Sequence, residues 1–205
     1  ILKETYKLED QGGRKLGLRY DLTVPLCRVI AGNSSMPMPV KRYAIASVWR
    51  DGPIKLGRYR EFVQCDVDLV GSKSGLADAE IISLTCDAFS QLGIDYIVKV
   101  NNRKFLEGLL ESLGVKNENV ETVILTVDKL QKIGSQGVEK ELIEKGLLIP
   151  LAKKIVGIFK EFEGLGFEEV FVACEKLVGK SEKAKQGLTE LKEVFDFLKG
   201  FEKTG

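Results

Sequence analysis

Histidine does not occur once in the 205 residues. A Ser-His-Asp triad, a Cys-His pair and any histidine-ligated metal are therefore excluded within this chain. Cysteine is scarce: Cys27, Cys65, Cys86 and Cys174 stand 38, 21 and 88 residues apart. With no CxxC pair, neither a zinc knot nor a thioredoxin-type motif is expected, and no disulfide framework in a chain this long. A reducing cytoplasm is the simplest setting. No apolar run approaches the roughly 18 residues a membrane helix needs, and the first residues lack a signal-peptide layout. Internal repeats and low-complexity tracts are missing too. Net charge is nearly absent, since 31 Lys and Arg balance 30 Asp and Glu. Chemistry here must run on carboxylates, arginines, lysines or backbone.

What is present is ordinary for a globular protein: 44% hydrophobic and 30% charged residues. The length suits one large domain or two small ones and buries about 70% of the unfolded surface without staples. The chain begins at Ile1 inside a strand-like pattern, so it is expected to be a piece of something longer. Arginine divides it more sharply than net charge does. Arg14, Arg19, Arg28, Arg42, Arg50, Arg58 and Arg60 fall in the first hundred residues, and only Arg103 follows. Arginine suits planar, bidentate anion recognition, whereas lysine more often serves as a solvated point charge. The first half, 1–100, reads as a site; 101–205 reads as a scaffold or docking module.

The periodicities agree. Glu4–Asp10 and Lys15–Tyr20 flank a Gly12-Gly13 turn. Thr23 can cap a short helix with Pro25 in its first turn, ending near Gly32. Asn33–Pro39 reads as a loop. Lys41–Arg50 and Arg58–Val70 are strand-like, a helix follows over Ala77–Leu92, and Ile94–Val100 is a β-branched strand. This predicts an antiparallel α+β core. Beyond Asn101 the pattern is mainly helical: a stripe through Phe105, Leu109 and Leu113, then Val120–Ile133, Val138–Lys145, Leu151–Phe162 and a last helix through Leu188–Leu198. Glu168–Ala173 reads as a short strand.

The informative stretch runs from Lys41 to Asp68. Strand alternation puts Gln64, Asp66 and Asp68 on one face, with Arg58, Arg60 and Phe62 continuing the same parity toward the loop. Cys65, at opposite parity, is expected to pack under the sheet. Arginines near the loop with acids and an amide farther in suit an anion at one end and a cationic or polar small molecule at the other. The competing reading is a charged outer face of a hairpin. Arg14 and Arg19 read as structural, and Asp21 as a helix N-terminal carboxylate that can also serve a ligand.

Leu18-Arg-Tyr-Asp-Leu-Thr-Val-Pro25 and Val48-Trp-Arg-Asp-Gly-Pro-Ile-Lys-Leu-Gly-Arg-Tyr-Arg-Glu-Phe-Val-Gln-Cys-Asp-Val-Asp68 closely resemble the catalytic core of histidyl-tRNA synthetases. The second run is similar to motif 2 of the class II aminoacyl-tRNA synthetases. Ala77–Glu80 and Val98–Arg103 fit the same resemblance. It implies an antiparallel class II sheet with flanking helices, followed by a helical insertion domain. It also implies activation of L-histidine with ATP and Mg²⁺, transfer to tRNA(His), a cytoplasmic homodimer and no membrane association.

Site roles follow by resemblance. Arg50 would be the catalytic residue, on the ATP α-phosphate and the histidine carboxylate. Arg58 would meet the outer phosphates and Phe62 would stack on adenine. Asp21 and Gln64, with Thr23 beside them, would receive the α-amino group, and Asp68 would face the imidazole. No protein metal ligand is implied. Gly52 stands where many motif 2 loops carry an acid, which leaves adenine recognition open. Motif 1, motif 3 and an anticodon-binding domain are not recognised, so this piece is expected not to aminoacylate by itself. Two alternatives stand beside the ligase: a non-ligase relative such as the regulatory subunit of ATP phosphoribosyltransferase, and a synthetase-like binding module.

Overall fold

The computed structural model describes residues 3–162 and 164–202. Its described residues form eight helices and two small antiparallel sheets, so the α+β expectation holds. The chain makes two compact units, Ile1–Leu84 and Thr85–Gly205. The division lies within a helix, upstream of the change in pattern read at residue 100.

The first unit opens with the hairpin β1 (Lys7–Glu9) and β2 (Lys15–Gly17). Its turn is organised by Asp10, whose Oδ1 accepts from the Gly12 and Arg14 amides at 2.9 Å. Gly13, at φ +73°, takes the left-handed position that a β-carbon would disfavour. Helix α1 (Thr23–Gly32) matches the predicted span, but Thr23 does not cap it. Asp21 does that work: its Oδ1 accepts from the Val24 amide at 2.9 Å, while the buried Leu22 ends the approach.

Strands β3 (Val40–Trp49) and β4 (Glu61–Val70) pair antiparallel in a register that sets Arg42 opposite Asp68, Ala46 opposite Gln64 and Val48 opposite Phe62. The second strand starts later than the pattern suggested because Arg58 belongs to a turn. Lys55 and Arg58 exchange backbone bonds across Gly57, at φ +72°. Helix α2 (Gly75–Gln91) follows, tied to β3 by Lys41 Nζ on Glu80 at 2.6 Å.

The two faces of β3–β4 reverse one expectation. Tyr43, Ile45 and Val63 are 77%, 64% and 64% exposed, and Cys65 is exposed with them. The thiol is therefore not packed beneath the sheet. The half-buried face carries Phe62, Gln64, Asp66 and Asp68. The polar residues are the sheltered ones.

The second unit contains α3 (Arg103–Ser112), α4 (Asn117–Val127), α5 (Leu130–Glu144), α6 (Ile149–Glu161), α7 (Phe167–Val178) and α8 (Glu182–Gly200). Ile94–Val100 forms no strand, which corrects the sequence expectation. A β-branched run needs a partner to bond, and none of the described strands pairs with it. Tyr96 instead packs its ring on Phe89 at 5.5 Å. The strand expected at Glu168–Ala173 is the interior of α7. Val170, Phe171, Cys174 and Leu177 keep helical spacing and join one apolar cluster, so tertiary packing outweighs the short β-like window. Burial pushes the Cys174 thiol up to about 11, which suits a packing residue and not a nucleophile. A second cluster gathers Leu110, Val123, Val138, Leu142 and Ile155 from α3, α4, α5 and α6.

Candidate active site

Arg50 leaves the end of β3, where its amide donates to the Arg60 carbonyl at 2.8 Å. Its guanidinium lies over two rings, 4.5 Å from the centroid of Tyr20 and 5.0 Å from that of Phe62. Nε donates to the Tyr20 carbonyl at 3.4 Å. Contact with two rings restricts a long side chain that would otherwise sample many rotamers, so its cation–π contacts also pre-organise an anion donor. Beside it opens a cavity of about 240 Å³, lined by Glu4, Arg50, Gly52, Pro53, Gly57, Arg58, Tyr59 and Phe62. Two guanidiniums and two aromatic rings around one space can hold a polyanion joined to a flat base.

Farther along β4 the shelter becomes more demanding. Gln64 Oε1 is buried and has no hydrogen-bond partner among the described residues. A buried acceptor without a donor costs free energy, so this oxygen is poised for a ligand N–H. Opposite it stands Ala46, and Ala44 pairs with Asp66. Asp68 is approached by Arg42 Nη2 at 2.6 Å, with side-chain exposures of 19% for the arginine and 21% for the acid. The approach lies off the hydrogen-bond line, so Asp68 Oδ2 and Arg42 Nε each still lack a hydrogen-bond partner among the described residues. The carboxylate has a counter-charge while its acceptor capacity is retained. Arg42 Nη2 also donates to the Leu22 carbonyl at 3.0 Å, linking the sheet to the start of α1.

Residues 1–204 match the family profile described as Histidyl-tRNA synthetase. The chain belongs to the histidyl-tRNA synthetase family. It is 50% identical over 155 residues to "Histidine--tRNA ligase 1" of Bacillus cereus, an alignment covering 76% of this chain and 36% of that one. A solved histidyl-tRNA synthetase from Nostoc sp. PCC 7120 superposes with a TM-score of 0.83 at 30% identity, over 96% of this chain and 45% of the other. A second structure superposes with a TM-score of 0.80 over 100% of this chain and 52% of its own. It is titled as an ATP phosphoribosyltransferase regulatory subunit/histidyl-tRNA synthetase from Bacillus halodurans C, and at 20% identity it speaks for the fold alone. The chain thus spans between about a third and a half of the length of these relatives.

Set against the roles implied by resemblance to histidyl-tRNA synthetases, Arg50, Arg58 and Phe62 line one cavity together. Asp21 lines a different, more apolar cavity of about 580 Å³ with Tyr20, Val24 and Arg28, and one of its oxygens already caps α1. Thr23 is exposed and, like Gln64 and Asp68, lines neither of these two cavities. Arg60 is held by the Gly52 carbonyl at 3.3 Å, with Asp51 at 3.9 Å. Arg14 pairs with Asp10 at 2.6 Å and Arg19 donates to the Ser47 carbonyl at 2.6 Å, which fits their reading as structural. Sequence reasoning passed over Arg42, Tyr20 and Glu4. Tyr20 sits inside the quoted Leu18–Pro25 run and Arg42 inside the Lys41–Asp68 stretch, but their partners are set by register and packing. Nothing in the local sequence singles out Glu4. Among the described residues no group of three or more Cys, Asp or Glu is placed to cage a metal.

Proposed function

We propose that this chain is part of a histidine–tRNA ligase: ATP and L-histidine form histidyl-adenylate, and the histidyl group then passes to tRNA(His). The observation that carries this reading is the division of one sheltered strand face. Arg50 stands with Arg58 and Phe62 on a cavity at one end, and farther in a buried acceptor, Gln64 Oε1, has no donor among the described residues.

In adenylation the histidine carboxylate attacks the α-phosphorus, a P–O bond forms, and pyrophosphate leaves with the electrons of the broken bond. The attacking carboxylate is already ionised, so no protein base is required, in keeping with the lack of histidine. Alignment and charge stabilisation do the work. Arg50 would hold the α-phosphate and histidine carboxylate, and Arg58 the outer phosphates. Arg50 occupies one face of Phe62, so adenine would stack on the other. Gln64 and Asp21, with Thr23 beside them, would take the α-amino group, and Asp68 a ring N–H. A site whose polar groups demand partners rejects analogues lacking them by about 10⁴–10⁵. Mg²⁺ would enter on the ATP phosphates, since it needs few protein carboxylates. In the second step a terminal ribose hydroxyl of the tRNA attacks the acyl carbon and AMP departs.

A cytoplasmic homodimer is proposed for the whole protein. No described helix is long and apolar enough to cross a membrane. The alternative reading, a regulatory subunit of ATP phosphoribosyltransferase, is favoured by the fold likeness alone. It leaves the cavity arginines Arg50 and Arg58 and the unpartnered Gln64 without a task. Histidine-dependent ATP–pyrophosphate exchange by the full-length parent protein tests the proposal. Exchange supports the ligase; its absence from an intact parent sinks it.

A further inference from the structure

The cavity beside Arg50 has one wall that phosphate binding and stacking do not explain. Glu4 is the only carboxylate among its lining residues. The Glu4 carbonyl accepts from the Asp51 amide at 2.8 Å, which holds the segment before β1 against the start of the β3–β4 loop. Its side chain is oriented as well, because the Tyr20 hydroxyl donates to Oε2 at 3.1 Å. Oε1 has no partner among the described residues, and it lies 3.7 Å from where a β-carbon on Gly52 would stand. The loop residue that could have filled this corner has no side chain, and the corner belongs to Glu4.

A nucleoside triphosphate in this space carries its negative charge on the phosphates, which the arginines attract and a carboxylate repels. Among the nucleotide's own groups, those that can meet Glu4 are the neutral hydrogen-bond donors. Adenosine offers two kinds, the 6-amino group of the base and the ribose hydroxyls. Phe62 and Tyr59 supply the faces on which a base lies flat, and the bare Gly52 lets its edge come close to the loop. We propose that Glu4 is a specificity-determining residue whose Oε1 accepts a hydrogen bond from the 6-amino group of adenine. This rests on the reading that the cavity holds ATP. It places adenine recognition on a segment outside the motif 2 hairpin.

The test is histidine-dependent pyrophosphate exchange by the full-length parent, run with ATP, with purine riboside triphosphate (which lacks the 6-amino group) and with 2′-deoxy-ATP. In wild type the KM for purine riboside triphosphate exceeds that for ATP by about tenfold, the size expected of one hydrogen bond to a charged acceptor. Glu4→Ala raises the KM for ATP until the two agree within about twofold, leaving the KM for histidine unchanged. Glu4→Gln, a near-isostere that keeps an acceptor, lies between. It decides the matter if the alanine variant does not fold. A KM raised equally for ATP and its 6-deamino analogue marks a merely structural role and overturns the proposal. So does a discrimination lost for 2′-deoxy-ATP instead, which would move the bond to the ribose. Absence of exchange by wild type removes the ligase reading itself, whereas wild-type exchange with an unaltered ratio in both variants removes only the role of Glu4.

Discussion

At the scale of single residues, Arg42 in β3 and Arg50 just past its end have different surroundings. Arg50 lies over the rings of Tyr20 and Phe62 at a cavity, so on the proposed reading its substitution would remove charge stabilisation that is already oriented. In the full-length parent, Arg50→Ala is expected to lower kcat for pyrophosphate exchange by about 10²–10³, as loss of a pre-organised donor does. Arg42 is the counter-charge of Asp68. Arg42→Gln is expected to raise the KM for histidine by about tenfold and to leave that for ATP within about twofold, because an unpaired carboxylate is costly where the imidazole would dock. Steady-state exchange kinetics with each substrate varied in turn distinguish the two. Arg50 and Gln64 could be proposed from the sequence because the run from Val48 to Asp68 carries them at recognisable spacing. Arg42 could not, since its importance depends on a register that only folding sets.

At the scale of elements, α3 and α8 meet through a pair of reciprocal glycines. A β-carbon on Gly108 would stand 2.4 Å from the Ala184 amide nitrogen, and one on Gly187 would stand 2.3 Å from that of Phe105. Backbone cannot yield as a flexible side chain can. Gly187→Ala is therefore expected to destabilise the chain by about 1–3 kcal/mol, despite the better helix propensity of alanine; urea unfolding measures it. The sequence marks both residues as glycines within helical stripes, and nothing local says that each is the notch for the other helix. The failures at Ile94–Val100 and Glu168–Ala173 share this cause. Short β-branched windows are ambiguous, and the neighbour that decides between bonding a ladder and packing a helix is distant in the chain.

At the scale of the whole molecule, ion pairs join helices of the second unit. Lys183, then Arg103, hold the Glu107 carboxyl below the usual glutamate range, and Lys104, then Asn102, do the same for Glu190. Lys129 and Lys145 lower Glu141. These folded carboxylates bind protons less readily than their unfolded counterparts. Their contribution is therefore full above the ordinary carboxylate range and is lost as pH falls through the lowered folded values. The melting temperature of the chain is expected to hold level from about pH 7 to about pH 5 and to fall below about pH 4. Scanning calorimetry across that range checks it, and high salt should shrink the plateau's advantage because the pairs are solvent-exposed. A melting temperature that rises on acidification would contradict the assignment.

Local pattern determined the hairpin turn at Gly12-Gly13, the span of α1, the β3–β4 pair and most of the helical second unit, since periodicity and turn chemistry are properties of neighbouring residues. The resemblance to histidyl-tRNA synthetases was also carried by contiguous runs. Tertiary structure alone decided which face of β3–β4 is sheltered, that Arg42 answers Asp68, and that Glu4 fills the corner left by Gly52. Each of these depends on residues far apart in the chain being brought within a few ångströms, where burial turns an ordinary charge or amide into a group that requires a partner.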